Sequence, residues 1–437
     1  MDSVAALLRR HFPDSDAELV AGGLPISTAV AGFETPLYVY AGEVLDRQYQ
    51  ALRGALPPRF TIAYSVKANP NRALLQRFVS LGCGLEVASA GEFLQALAAG
   101  CPAGRIMFAG PGKREDELEL VLRRGIGELH AESRLEVERI AAISRRLRVT
   151  APVALRVNPT EEAQGGAMVM GGKPSPFGVD EEQADAIIDQ LARDPAIEFR
   201  GVHLFSGTQI LDHTVLLRQY RKGLAIARRV ATRLGRPLAT VDFGGGLGIP
   251  YFPGERPLDV DKLGEELAAL VAEVEGDPLF AGTRFVLEPG RYLIGEAGVY
   301  VTRVTDVKVS RGKKFLIVDG GMHHHLAASG NLGQVIRRSF PVAILTRLTT
   351  PACETVDVVG PLCTPLDVLA RGVALPSAEV GDLVGIFQSG AYARTASPLG
   401  FLSHPTPAEV LVEGGTVRLI RRRGTYDDLL ADPTVVP

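Results

Sequence analysis

The chain has 437 residues, 46% hydrophobic and 22% charged, an ordinary globular composition with room for two or more domains. Its 47 Lys+Arg against 50 Asp+Glu leave a net charge of −3, which argues against a polyanion-binding face over much of the surface. The sequence has no run of about 18 uncharged apolar residues, no secretory-signal order around Arg9 and Arg10, and no CxxC among Cys83, Cys101, Cys353 and Cys363, so the expectation is a cytoplasmic protein without a membrane span, zinc ribbon or disulfide scaffold.

From about residue 60, short β-rich runs alternate with longer amphipathic stretches. The runs are FTIAYSV (from Phe60), GLEVAS (from Gly84), RIMFAGP (from Arg105), GELHAES (from Gly127), VALRVNP (from Val153), FRGVHLFSGT (from Phe199), TVDFGGGLG (from Thr240) and RFVLEPGR (from Arg284). Between them lie stretches such as RALLQRFVSLG, apolar at helical spacing. Such alternation implies parallel pairing through helical crossovers, and eight units are the number that closes a (β/α)8 barrel. A doubly wound open sheet fits less well, because the glycine cluster follows the seventh strand and not the first. After Arg291 valines and threonines alternate with polar residues and turn signals, the texture of a mainly antiparallel β domain, barrel or sandwich. The division expected is a barrel over 36–282 and a β domain over 283–437, with residues 1–35 packing on the latter. LYVYAG (from Leu37) either opens the barrel or joins the β domain. The Gly-rich connection AQGGAMVMGGKPSPFG (from Ala163) is long enough to suggest a functional loop.

In a barrel of this kind chemistry sits at the C-terminal ends of the strands. Those positions hold Lys67, Glu86, Ser89, His203, Ser206, Gly244–Gly245–Gly246, Glu288 and Arg291. A lysine amine can bond a carbonyl, consecutive glycine N–H groups can hold a phosphate, and a carboxylate can keep a pyridine nitrogen protonated. Together they suit a phosphorylated aldehyde cofactor.

YSVKANP, EVASAGE, HLFSGTQ, GGGLG, EPGR, GPLCTPLD and SGAYA, in this order, resemble the pyridoxal-phosphate decarboxylases of the alanine-racemase-like barrel fold, which include the diaminopimelate, ornithine and arginine decarboxylases. The resemblance runs from about residue 35 to beyond 410. It implies pyridoxal 5'-phosphate as cofactor and Lys67 as its Schiff-base lysine. Gly244, Gly245 and Gly246 become the phosphate cradle, with Ser206 and Tyr392 as phosphate-side hydroxyls. Glu288 pairs with the ring nitrogen, Gly290 and Arg291 lie in the same cofactor-binding turn, and His203 stacks on the ring. Cys363 becomes the acid that protonates the substrate carbon, delivered across a homodimer interface.

The departures from the pattern bear on the substrate. Ornithine and diaminopimelate decarboxylases carry an acidic residue after that cysteine to read a distal amine, and here it is Thr364. The distal-carboxylate motif of diaminopimelate decarboxylases is replaced by GGMHHHLAASGN (Gly320 to Asn331). These forms are most similar to a subgroup that includes the glutamyl-carrier-protein decarboxylase of butirosin biosynthesis. The resemblance therefore implies α-decarboxylation of an acidic aminoacyl group held as a thioester on an acyl carrier protein, with Arg291, Thr364 and His323 on the substrate side. His323, His324 and His325 are adjacent, and adjacent strand residues face opposite sides, so no metal is expected there. The alternatives are a decarboxylase of free diaminopimelate, ornithine or lysine, against which Thr364 and GMHHH speak. A racemase is disfavoured by Cys363, and a non-catalytic regulatory homologue by intact Lys67, Glu288 and Cys363.

Overall fold

A computed structural model describes residues 3–160, 168–169, 174–205, 207–332, 334 and 337–431. Most of the Gly-rich connection from Ala163 and all of Ser206 lie outside the described residues.

The chain divides into two compact units. One is a closed parallel barrel. Its strands are β1 (Phe60–Ser65), β2 (Gly84–Val87), β3 (Ile106–Phe108), β4 (Glu128–Ala131), β5 (Ala151–Asn158), β6 (Ile197–Leu204), β7 (Thr240–Asp242) and β8 (Arg284–Leu287). Each pairs in parallel with the next, and β8 pairs with β1. Helices Arg72–Ser80, Ala90–Ala98, Glu115–Arg123, Arg134–Leu147, Glu181–Arg193, His213–Leu234 and Val260–Ala272 make the crossovers. The eight β-rich runs are thus the eight strands, in order.

Two local devices shape the barrel. Ala63, Met107 and Val286, from β1, β3 and β8, pack together in the buried interior, where Glu128, the first residue of β4, is buried as well. In β6 the pairing with β5 slips at Arg200, so that Phe199 and Gly201 face Val153 and Ala154 in turn. This bulge brings Gly201 so close to β7 that a Cβ there would collide with the Thr240 carbonyl oxygen.

The other unit takes in 1–48, 250–255 and 294–437. Its main sheet runs Val368–Leu375, Glu354–Val359, Lys313–Val318, Gly298–Ser310, Leu37–Ala41, Ala408–Glu413, Thr416–Arg421, with Leu383–Ile386 pairing Gly298–Ser310 and Val342–Ile344. Most pairings are antiparallel; Leu37–Ala41 with Ala408–Glu413, and Lys313–Val318 with Glu354–Val359, are parallel. The expected boundaries at 36 and 283 are displaced. Arg284–Leu287 closes the barrel, while Leu37–Ala41 is fully buried in the β sheet between Gly298–Val301 and Ala408–Val412. A five-residue apolar run reads alike in either setting; only its partners distinguish them.

Gly201→Ala is expected to destabilise the barrel by about 2 kcal/mol, because the added methyl has only main chain to displace. Urea unfolding followed by circular dichroism would measure it.

Candidate active site

The barrel unit gathers its polar residues at the C-terminal ends of the strands. β1 runs into a single 3-10 turn, Val66–Ala68, which presents Lys67. Its Nζ lies 2.9 and 3.0 Å from the two Glu86 oxygens. Glu86 is buried and also accepts from the Ser65 hydroxyl. The asparagines of the motif are structural: Asn71 caps the following helix, and Asn69 accepts from the Asn71 N–H. Ser89, a candidate from its position, is likewise a helix cap, accepting from Glu92 N.

β7 ends at Asp242, and the chain then turns through Gly244, Gly245 and Gly246. Gly244 and Gly246 have φ of 69° and 103°, the left-handed region that favours glycine. A Cβ on Gly244 would sit 2.5 Å from Leu204 O, and one on Gly245 2.5 Å from Glu288 O. Three bonds hold the loop: Gly244 N to Asp242 Oδ1 at 2.8 Å, Ile210 N to Gly246 O at 2.9 Å, and Glu288 N to Gly244 O at 2.9 Å. Glu288 itself follows β8. Gly290, two residues on, lets this turn pack on the lysine turn, where a Cβ would meet Ala68 Cβ at 2.8 Å. Arg291 opens the short helix Arg291–Ile294 and is half-buried.

Behind these groups lies a buried charge cluster. His203 Nε2 is 3.4 Å from Glu288 Oε2. The His203 ring stacks on His130, centroids 4.2 Å apart and planes at 27°. His130 lies 3.1 Å from Glu128, 3.8 Å from Asp242 and 3.9 Å from Glu288. Burial, with Glu288 beside it, pushes the Asp242 carboxyl well above its usual range. Burial, with His130 and Arg156 near, pushes His203 well below the usual imidazole value, so it is neutral at pH 7. Nearby, Arg156 Nη1 bonds Glu132 at 3.0 Å, and Glu132 also accepts from Gly110 N and Gly178 N. Burial opposes the charge on Glu132, but Arg156 and Lys113 hold its carboxyl below the ordinary value.

The cluster fits the implied cofactor. The Cβ-free loop offers main-chain N–H groups to a phosphate, while His203 Nε2 and Glu288 Oε1 have no hydrogen-bond partner although both are buried. His130, His203 and Glu288 also have the composition of a metal site. Stacked imidazoles, however, point their lone pairs side by side, and these do not converge on one ion about 2.1 Å from each.

The β unit holds the remaining candidates, described here within that unit. Cys363 is exposed in a loop fixed by Asp367, whose carboxylate accepts from Leu362 N (2.9 Å) and Met322 N (2.6 Å). Gly321 and Gly360 leave room for that carboxylate, which a Cβ on either would strike. Thr364 is half-buried; its N–H donates to Leu362 O at 2.8 Å. Tyr392 is half-buried with φ of 53°. The histidine run is a turn, with His324 N and His325 N both donating to Gly321 O. His324 meets Tyr300 and Pro405, while His325 meets Ser389. His323 is fully buried beside His324 and His404, with neither ring nitrogen hydrogen-bonded.

The first motif of the barrel unit lies within a matched family model. Residues 43–295 match the pyridoxal-binding domain of the pyridoxal-dependent decarboxylases. The chain belongs to the pyridoxal-dependent decarboxylases. The L-glutamyl-[BtrI acyl-carrier protein] decarboxylase of Niallia circulans is 40% identical over 93% of this chain and 95% of its own. Diaminopimelate decarboxylase of Zymomonas mobilis is 33% identical over 96% and 98%. The solved diaminopimelate decarboxylase of M. jannaschii with L-lysine has a TM-score of 0.88 at 28% identity, covering 97% of both chains. The enzyme is thus a carboxy-lyase whose cofactor is pyridoxal phosphate, on a barrel with a separate β domain. Among the described residues no helix is long and apolar enough to cross a membrane.

Sequence reasoning missed His130, Glu132, Arg156, Asp242 and Asp367. The first four carried a usable signal: each is a polar residue in or just after a β-rich run, at the end where chemistry was expected.

Acidification is expected to weaken the β unit through His323. Burial, with His404 beside it, lowers His323 to about 4 from 6.5. The folded state therefore binds fewer protons than the unfolded chain, and stability is lost as pH falls from about 6.5 to about 4. His323→Leu should flatten that slope, by on the order of 3 kcal/mol at the acid end. Urea midpoints of both proteins at pH 4 to 7 would show it.

Proposed function

We propose that the enzyme removes the α-carboxylate of an acidic aminoacyl group, glutamyl or aspartyl in type, held as a thioester on an acyl carrier protein in natural-product biosynthesis. Thr364, at the position after Cys363, carries this reading. An acidic residue there would neutralise a distal ammonium; a threonine hydroxyl cannot, and burying an unpaired charge costs far more than burying a neutral group. A thioester is neutral and can continue out of the pocket on its arm. The 40% identity with a glutamyl-carrier-protein decarboxylase, against 33% with a diaminopimelate decarboxylase, supports the same substrate class.

In this reading Lys67 would hold the cofactor covalently through Nζ, which Glu86 positions at 2.9 Å. The backbone of Gly244, Gly245 and Gly246, with Ser206 and Tyr392, binds the phosphate. His203 covers one face of the ring, and Gly290 and Arg291 complete the turn that carries Glu288. When bound, the cofactor supplies a sink for the electron pair left as the carboxylate departs as carbon dioxide. Cys363 Sγ, supplied by a second copy of the chain in a homodimer, gives the α-carbon the proton that replaces the carboxylate. Its exposure and the rigid Asp367-fixed loop suit a group presented to another chain. His323 is fully buried and makes no substrate contact in this reading.

Borohydride reduction of the holoenzyme should fix the cofactor to the peptide containing Lys67, and Lys67→Ala should abolish that adduct. An adduct on another lysine would move the site.

For the substrate, carbon dioxide release should show kcat/KM for glutamyl- or aspartyl-carrier thioesters roughly 100-fold or more above that for free diaminopimelate, lysine or ornithine, the scale expected of a site lacking the partner for a charged end. A free amino acid turned over as well as every carrier-bound substrate would overturn the reading.

A further inference from the structure

His130 is the one member of the buried cluster that touches all its carboxylates. Its Nε2 lies 3.1 Å from Glu128 Oε1 and 3.8 Å from Asp242 Oδ2, and its Nδ1 lies 3.9 Å from Glu288 Oε1. Glu128 and Asp242 are wholly buried and Glu288 nearly so. The His203 ring stacks on this imidazole, and Lys113 Nζ bonds the His130 main-chain oxygen at 2.7 Å.

Three carboxylates confined this closely in a low-dielectric interior cannot all be ionised without a counter-charge. Burial, with Glu288 beside it, pushes the Asp242 carboxyl well above its usual range, which favours its neutral form and relieves part of the repulsion. Its Oδ1 still accepts from the first glycine of the cradle. Glu128 and Glu288 remain, and neutral His203 offers them no charge. An imidazole between the two, with a nitrogen towards each, is placed to serve both as a cation.

We propose that His130 is the counter-ion of Glu288: held as an imidazolium between Glu128 and Glu288, it keeps the Glu288 carboxylate ionised and so sets the protonation of the cofactor's ring nitrogen. The inference rests on the reading of Glu288 as the ring nitrogen's partner. His130 does not meet the cofactor; it acts through Glu288, as a positioning residue.

The test uses holoenzyme loaded with cofactor labelled with nitrogen-15 in the ring. In wild type the ring nitrogen should resonate as a pyridinium. Glu288→Gln should shift it to a neutral, hydrogen-bonded pyridine. His130→Gln should shift it the same way and raise the cofactor's dissociation constant about tenfold, the equivalent of one pKa unit. In the ring-nitrogen signal the double variant should be no further shifted than Glu288→Gln alone, because His130 acts on that nitrogen through Glu288. A Glu288→Gln enzyme with an unchanged pyridinium would refute the reading of Glu288. A normal Glu288→Gln response with wild-type signal and affinity in His130→Gln would refute the role of His130 alone. If His130→Gln does not fold, neutron diffraction on the wild-type protein decides the matter. Deuterium on both His130 ring nitrogens supports the proposal, and deuterium on only one overturns it.

Discussion

Burial of charge inside a closed parallel barrel is the constraint on which the rest of this structure depends. Apolar side chains such as Ala63, Met107 and Val286 pack in the interior, and four further buried positions, Glu128, His130, Asp242 and Glu288, are ionisable. An isolated charge there would be expelled or neutralised. The fold tolerates these because each is within reach of another: burial and Glu288 push Asp242 towards its neutral form, burial does the same for His203, and His130 lies between carboxylates. Glu288 follows β8 with its Oε1 buried and without a hydrogen-bond partner, placed to meet a ring nitrogen.

Glycine supplies the complementary half of the site. The loop after β7 threads between Leu204 and Glu288 at distances that leave no space for a side chain. Asp242 links the two halves, since one of its oxygens accepts from Gly244 while the other faces His130. A single residue thus couples the shape of the anion cradle to the charge state behind it. Gly290 does the same for the lysine turn, bringing Glu288 and Lys67 onto adjoining, tightly packed segments.

The eight barrel strands were legible in the sequence because each is a short β-rich run closed by a turn signal and followed by a full helical crossover. The boundaries between units were not, because Leu37–Ala41 and Arg284–Leu287 have similar local texture and differ only in distant partners. The lysine, glycine and glutamate positions stood out by residue type. His130 and Arg156 did not, since a polar residue inside an apolar run looks like an interruption until the barrel closes and places it beside His203 or Glu132. Asp367 was hidden for another reason: its role is to accept main-chain N–H groups from two separate loops, which no local pattern records. Three adjacent histidines fit either a strand or a turn, and the main-chain bonds to Gly321 O make a turn that sends its members to different partners.

The most direct measurement of the central claim is a crystal structure of the holoenzyme. The account predicts continuous density from Lys67 Nζ to the cofactor, the phosphate on Gly244–Gly246, the ring against His203, and the ring nitrogen within hydrogen-bonding distance of Glu288, with His130 unmoved behind it. A cofactor attached elsewhere, or a ring nitrogen turned away from Glu288 towards solvent, would contradict it.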